Sequence, residues 1–413
     1  MISRRYKRLA MNGLGADTRG VLYGDLRLDL LQIYFLTGIL ANYAGLYRVN
    51  NGIMVVFVLF TLLFANSKTL TLSPLLRLYG LLTLLSLFNH LWLWDKTGGV
   101  PAGARTMPVV FLVMLACRAC TRPGLFKRAV ILNTLPLALL LPLGGIYFSW
   151  GRLSTEYMNE YMHGFLPQFA FAIGIYALLD RRFRLLTMTS FIASCVFMIV
   201  GASRRFFIYI LLASFVIFLS KRMFTQKQLL MGGVILAVIV YLVLPRMSAS
   251  QQRRAGGEFD WVQHTQELIS GEADDRSSQQ RRAMLVISME ATRDHWLGFG
   301  HANFPYVCDL YGVGVDGNPG HPHATLAEVL IIGGYPGLAI YMIMLLYLLR
   351  IGRKDPIMRL CLLWLFLEVF IGTTFLGKIV WPLMAIAERE LQISGRITLR
   401  RPEAGALDFP PTA

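Results

Sequence analysis

The chain has 413 residues, of which 55% are hydrophobic and 15% charged, and its mean hydropathy is +0.53. Soluble globular chains are nearer ~25% charged, so this composition excludes an ordinary soluble domain and points to a polytopic membrane protein. The formal charge of +16 does not point to nucleic acid, because the basic residues are spread over short loops and not gathered on one module.

Crossing a hydrocarbon core of ~30 Å takes ~20 mostly apolar helical residues. Helices are the open spanning element that satisfies its own backbone in lipid. In chain order the apolar runs predict spans at 28–47, 51–66, 75–94, 106–121, 128–149, 163–179, 185–202, 205–220, 228–245, 326–349, 357–375 and 377–388. The fold expected is all-α, a polytopic integral membrane protein of about 12 transmembrane helices with one large outer loop that contains helices. Residues 1–245 would hold the first nine spans, 246–325 the loop domain, 326–390 the last three spans and 391–413 a cytoplasmic tail. The basic start (Arg4, Arg5, Lys7, Arg8) leads into glycine and polar residues, so no cleavable signal peptide is expected.

Lys and Arg in short loops favour the cytoplasm. With the N-terminus inside, Lys68 and Arg77, the group Arg118, Arg122, Lys127 and Arg128, the group Arg181, Arg182 and Arg184, Lys221, Arg222 and Lys227, and Arg350, Arg353 and Lys354 all fall inside. One outer turn breaks the pattern: "GASRRFF" places Arg204 and Arg205 on the outer face, at the start of the eighth span. Free amides and the helix dipole favour an anion there, so the pair reads as an anion site; the plainer alternative is a helix-end anchor.

The long outer loop holds arginines at 253, 254, 276, 281, 282 and 293, besides Arg246 at its edge, and no lysine. Arginine presents a fork that matches phosphate oxygens. Within the loop, "SSQQRRAMLVISMEATRDHWLGFG" predicts a helix with capping-box spacing at Ser277 and Gln280. Leu285, Val286 and Met289 are its expected apolar side, and Arg281 and Arg282 fall in its second turn. Cys117 and Cys120 form a C-x-x-C without a second pair, so no zinc site is expected, and Cys308 is the lone cysteine of the loop.

The loop ends in "GHPHATLAEVLIIGGYPG", residues 320–337. His321 and His323 flank Pro322, and Asp316 is the nearest further ligand, so a metal lacks a full set. Glu328 and Glu368 sit inside apolar runs, where an ionisable group is costly and usually functional. They can orient a histidine or an arginine, or pair with each other. His90 and Asn133, in earlier spans, read as packing residues.

Taken in order, these motifs resemble the O-antigen ligase and polymerase superfamily of envelope glycosyltransferases, most closely the ligases. Ser203–Arg204 is similar to the family's Ser-Arg at the outer end of a span, and Arg281 to its loop-helix arginine. "RDHWLGFGHANF" supplies the acidic-His turn (Asp294, His295) and a G-x-G-x-x-x-F pattern (Gly298, Gly300, Phe304). His323, Gly334 and Gly337 match the family's His followed by G-x-x-G, with Ala324 where an Asn usually stands.

The resemblance implies a bacterial inner-membrane enzyme with its site facing the periplasm. It would transfer O-antigen from an undecaprenyl diphosphate donor to a lipid A-core acceptor. His323 would act as general base, Arg204, Arg205, Arg281 and Arg282 would bind the diphosphate, and His321, Glu328 and Glu368 would support the site. Neither a cofactor nor a metal is expected, since no P-loop, dinucleotide fingerprint or D-x-D pair occurs. The alternatives are an O-antigen polymerase or a lipid-linked glycan transporter. The lack of half-to-half similarity counts against the transporter.

Overall fold

The computed structural model describes residues 26–38, 47–64, 70, 72–97, 100–138, 147–149, 152–154, 166–179, 184–200, 276–311, 325–355, 357–362, 365 and 379–395. These residues form α1 (26–38), α2 (Tyr47–Phe64), α3 (Pro74–Trp92), α4 (Thr106–Ala119), α5 (Leu125–Thr134), a hairpin of β1 (Tyr147–Ser149) and β2 (Arg152–Ser154), α6 (Leu166–Leu179), α7 (Leu185–Val200), α8 (Arg276–Asp294), α9 (Phe304–Tyr311), α10 (Thr325–Gly352) and α11 (Val380–Ile393). The described residues are therefore helical apart from one antiparallel hairpin, in which Phe148 pairs with Leu153.

Several expected spans change shape. The run 128–149 is not one helix: α5 ends at Thr134 and β1 occupies 147–149. The last span, expected at 377–388, is α11 at 380–393 and carries Glu388, Arg389 and Glu390. Among the described residues, α3 and α10 are long and apolar enough to cross a membrane, and 49–64, 168–177 and 185–196 are shorter apolar helices. The expected spans at 205–220 and 228–245 lie outside the described residues.

Local chemistry starts α3 cleanly. Ser73 is its N-cap, accepting a hydrogen bond from Leu76 N, and Pro74 stands at the first helical position, where its missing N–H costs nothing. The buried side of α3 then meets α4, α10 and α11 around Trp381. The rings of Tyr79 and Tyr341 lie 5.6 Å and 6.3 Å from it.

A buried ion pair closes one end of this bundle. Arg118, expected in a solvated inside loop, is instead buried and donates to Glu388 of α11 at 3.2 Å and to Gln392 Oε1 at 2.7 Å. Tyr347 donates its hydroxyl to the other Glu388 oxygen. Two residues on, Glu390 accepts from Gly124 N at 2.8 Å and Phe126 N at 3.0 Å, so a carboxylate of α11 caps the start of α5. This explains why α11 continues past the apolar run: its carboxylates are held by partners from α4, α5 and α10.

Asn133 and His90 are indeed packed inside. Asn133 donates to Phe35 O at 2.8 Å, and His90 Nδ1 lies 3.2 Å from Asn303 Nδ2. The five cysteines are free thiols, and Cys308 is buried.

Candidate functional site

The site is organised by a break in α10. Pro336 has no N–H to offer Ile332 O four residues back, and Gly334 takes φ +59° and ψ −150°, a region essentially reserved for glycine. The helix bends there sharply enough that a Gly337 β-carbon would stand 3.4 Å from Val329 O. The span expected at 326–349 is thus not one continuous helix: Gly334 is the break itself. Residues 335–352 continue as about 27 Å of helix at ~1.5 Å per residue.

A broken helix leaves polar backbone groups that a membrane interior will not satisfy. The loop after α8 satisfies them. Ile331 O accepts from Phe299 N at 2.6 Å and Gly300 N at 3.2 Å, and Ile332 O also accepts from Gly300 N at 3.2 Å. Tyr335 N donates to Trp296 O at 3.0 Å. The two glycine motifs are therefore each other's partners. A β-carbon on Gly334 would meet Trp296 O at 1.9 Å, and one on Gly298, whose φ is +85°, would meet Gly334 N at 2.5 Å. Gly300, at φ +87°, lies against Ser86 O and the His90 ring.

The C-terminal end of α3 holds this junction from a third side. Asn89 Nδ2 donates to Leu297 O at 2.6 Å and to Ile332 O at 3.1 Å. Ser86 Oγ accepts from His301 N at 2.9 Å, and Asn303 Nδ2 donates to Phe299 O at 2.6 Å while facing His90. These residues are buried. Sequence reasoning missed Ser86, Asn89 and Asn303. The available signal was an Asn-His pair in an otherwise apolar run, a costly placement unless both are bonded.

α8 packs on the same junction through Met284, Ile287, Ser288, Ala291 and Thr292. This corrects the expected apolar side, because Val286 and Met289 are 45% and 46% exposed. Met284, Ile287 and Ala291 share a small core with Leu93, Phe299, Phe304, Val307, Cys308 and Ile331, which belongs to the first half of α10. Tyr311 of α9 donates to Asp294 at 2.8 Å, closing α9 onto the end of α8. Burial and this bond push the Tyr311 phenol up to about 12. Burial, then the nearby Asp309 charge, pushes the Cys308 thiol up.

Of the predicted site residues, Glu328 is described fully. It is buried in the first turn of α10, and its Oε2 has no hydrogen-bond partner among the described residues. Arg281 and Arg282 lie in the second turn of α8, as expected, though α8 begins at Arg276, so Ser277 is inside the helix and not its cap. Arg204, Arg205, His321, His323 and Glu368 lie outside the described residues.

A family model described as O-antigen ligase matches residues 169–342. Over these residues, less than half of the chain, the sequence is similar to the O-antigen ligase family. The match runs from α6 into the second half of α10, and so takes in α8, the loop and the glycine junction. Proteins of this family are membrane proteins, and their activity is of the glycosyltransferase type, ligase or polymerase. No curated protein matches the chain.

Proposed function

We propose that the chain is an inner-membrane O-antigen ligase that moves a glycan from undecaprenyl diphosphate to a hydroxyl of lipid A-core at the periplasmic face. The observation that carries this reading is the glycine junction, which joins the arginine-bearing α8 to the helix that His323 precedes by two residues. On the family's pattern those two elements supply the diphosphate ligands and the base. Position 281 falls on the helical stripe of Ser288 and Thr292, and position 282 about 100° away with Met289 and Arg293, which supports Arg281 as the donor ligand of the two.

The orientation has support of its own. Exposed Arg122, Lys127, Arg128, Arg350, Arg353 and Lys354 gather at the ion-pair end of the bundle, away from the junction. Basic residues favour the cytoplasm, so the junction faces the periplasm.

In the proposed reaction His323 takes the proton from the acceptor hydroxyl as its oxygen attacks the anomeric carbon, inverting it. The bond to the diphosphate breaks, and Arg204, Arg205 and Arg281 stabilise the charge that grows there. Losing one such preorganised donor costs ~10²–10³ in rate. No metal is needed, since arginine replaces the cation.

The test is to incubate purified protein with lipid-linked glycan and lipid A-core in excess EDTA. Joined product is expected, and His323→Ala abolishes it while donor binding stays. Longer lipid-linked glycan without acceptor transfer would make the chain a polymerase. Activity dependent on an added divalent ion would return His321 and His323 to a metal.

A further inference from the structure

The C-terminal end of α3 carries none of the residues proposed for transfer, yet it places a buried amide where the two functional helices meet. Both hydrogens of Asn89 Nδ2 are used, one on Leu297 O just after α8 and one on Ile332 O at the end of the first half of α10. We propose that Asn89 is a positioning residue, whose amide fixes α8 and the first half of α10 relative to each other and so sets the approach of donor to base. This rests on the function proposed above.

The backbone bonds show why its role is more than holding the fold together. Without Asn89 the loop is still tied to α10 through Phe299 N, Gly300 N and Tyr335 N, and to α3 through His301 N on Ser86 Oγ. The junction therefore survives the loss of the amide. What goes is the bond that ties Leu297 to α3, and with it the shared anchor of both arms. A misplacement of ~1 Å between reacting groups can cost ~10²-fold in rate, so a small pivot here has a large effect on transfer and a small one on folding. Asparagine is suited to the task because its NH₂ group offers two donors from one rigid plane. Leu297 O and Ile332 O are both carbonyls, so an acceptor at this position would repel them.

The first experiment reads position without reading activity. Spin labels are placed on cysteines at the exposed Val286 of α8 and the half-buried Leu326 in the first half of α10, in a background whose native cysteines are replaced. Pulsed dipolar spectroscopy should give one narrow distance with Asn89 present and a shifted or broadened one in Asn89→Ala. The second experiment measures transfer per folded molecule. Asn89→Ala should lower kcat by ~10–100-fold, with donor affinity held within about threefold of the parent. Asn89→Asp should be as poor at neutral pH and partly recover as pH falls, because a protonated carboxyl regains one donor.

An unchanged distance distribution overturns the proposal whatever the activity does. So does an unchanged kcat per folded molecule beside reduced yield, which would make Asn89 merely structural. If Asn89→Ala does not accumulate, Asn89→Ser carries the same two measurements, since it keeps a small polar group but cannot bridge both carbonyls. A parent protein that transfers no glycan would sink the functional reading, while the distance measurement would still decide Asn89.

Discussion

Gly334→Ala is the sharpest perturbation of the junction. An alanine at φ +59° and ψ −150° is strained by about 1–3 kcal/mol before any contact is considered. Its methyl would then stand 1.9 Å from Trp296 O, 2.6 Å from Trp296 C and 2.7 Å from Gly298 N. These are backbone atoms and cannot turn aside, so the loop must lift and leave at least one buried backbone group unpaired, at about 1–3 kcal/mol. The sum is about 2–6 kcal/mol. Gly337→Ala is the control: its methyl would meet Leu82 Cδ1 at 3.3 Å and Val329 O at 3.4 Å, and the gain in helix propensity of about 0.5–1 kcal/mol offsets that crowding. Cys308 reports the difference, because it is buried in the core shared by the loop and α10. With the other cysteines replaced, its labelling by a thiol reagent should speed up by ~30-fold or more in Gly334→Ala, each factor of ten standing for ~1.4 kcal/mol. Labelling within about threefold of the Gly337→Ala rate would refute the account of the junction.

Three further outcomes follow from the same structure. Arg118→Met should cost about 3–5 kcal/mol by leaving Glu388 buried without its partner, and the double variant with Glu388→Leu should recover most of the loss; thermal unfolding in detergent measures both. Single cysteines at Ser203 and Gly317 should react with an impermeant thiol reagent in whole cells, and labelling only after lysis would reverse the orientation. The raised Tyr311 phenol stabilises the α8–α9 contact fully below pH ~10, the usual tyrosine value, and that contribution is lost as pH rises through about 12. Tyr311→Phe should flatten this alkaline dependence, read as Cys308 protection against pH.

Apolar runs located most of the described helices, because a span is a property of composition over ~20 residues. They failed where one residue overrides composition. The run 128–149 is mostly apolar, yet a strand occupies 147–149. The run 326–349 is apolar but for Glu328, and a single glycine conformation bends it. Arg118 and Glu388 misled for a related reason. Charge in sequence signals solvent or a span boundary, but a pair separated by 270 residues can bury both members when each neutralises the other. Nothing local to either residue announces the partner.

The glycine motifs were legible as motifs and illegible as a mechanism. Spacing alone allowed Gly334 and Gly337 to serve close helix packing, and gave Gly298 and Gly300 no partner at all. The structure joins them: the N–H groups freed by one motif find the carbonyls freed by the other. Each motif requires the other, since a loop with two positive-φ glycines has no reason to exist without a broken helix to receive it. A helix broken at that depth would likewise be untenable without donors for Ile331 and Ile332. In the proposed reaction the glycines would therefore act on transfer through placement and not through contact with the glycan. Variants there should fail together with Asn89 variants on geometry, while the arginines and His323 fail on chemistry.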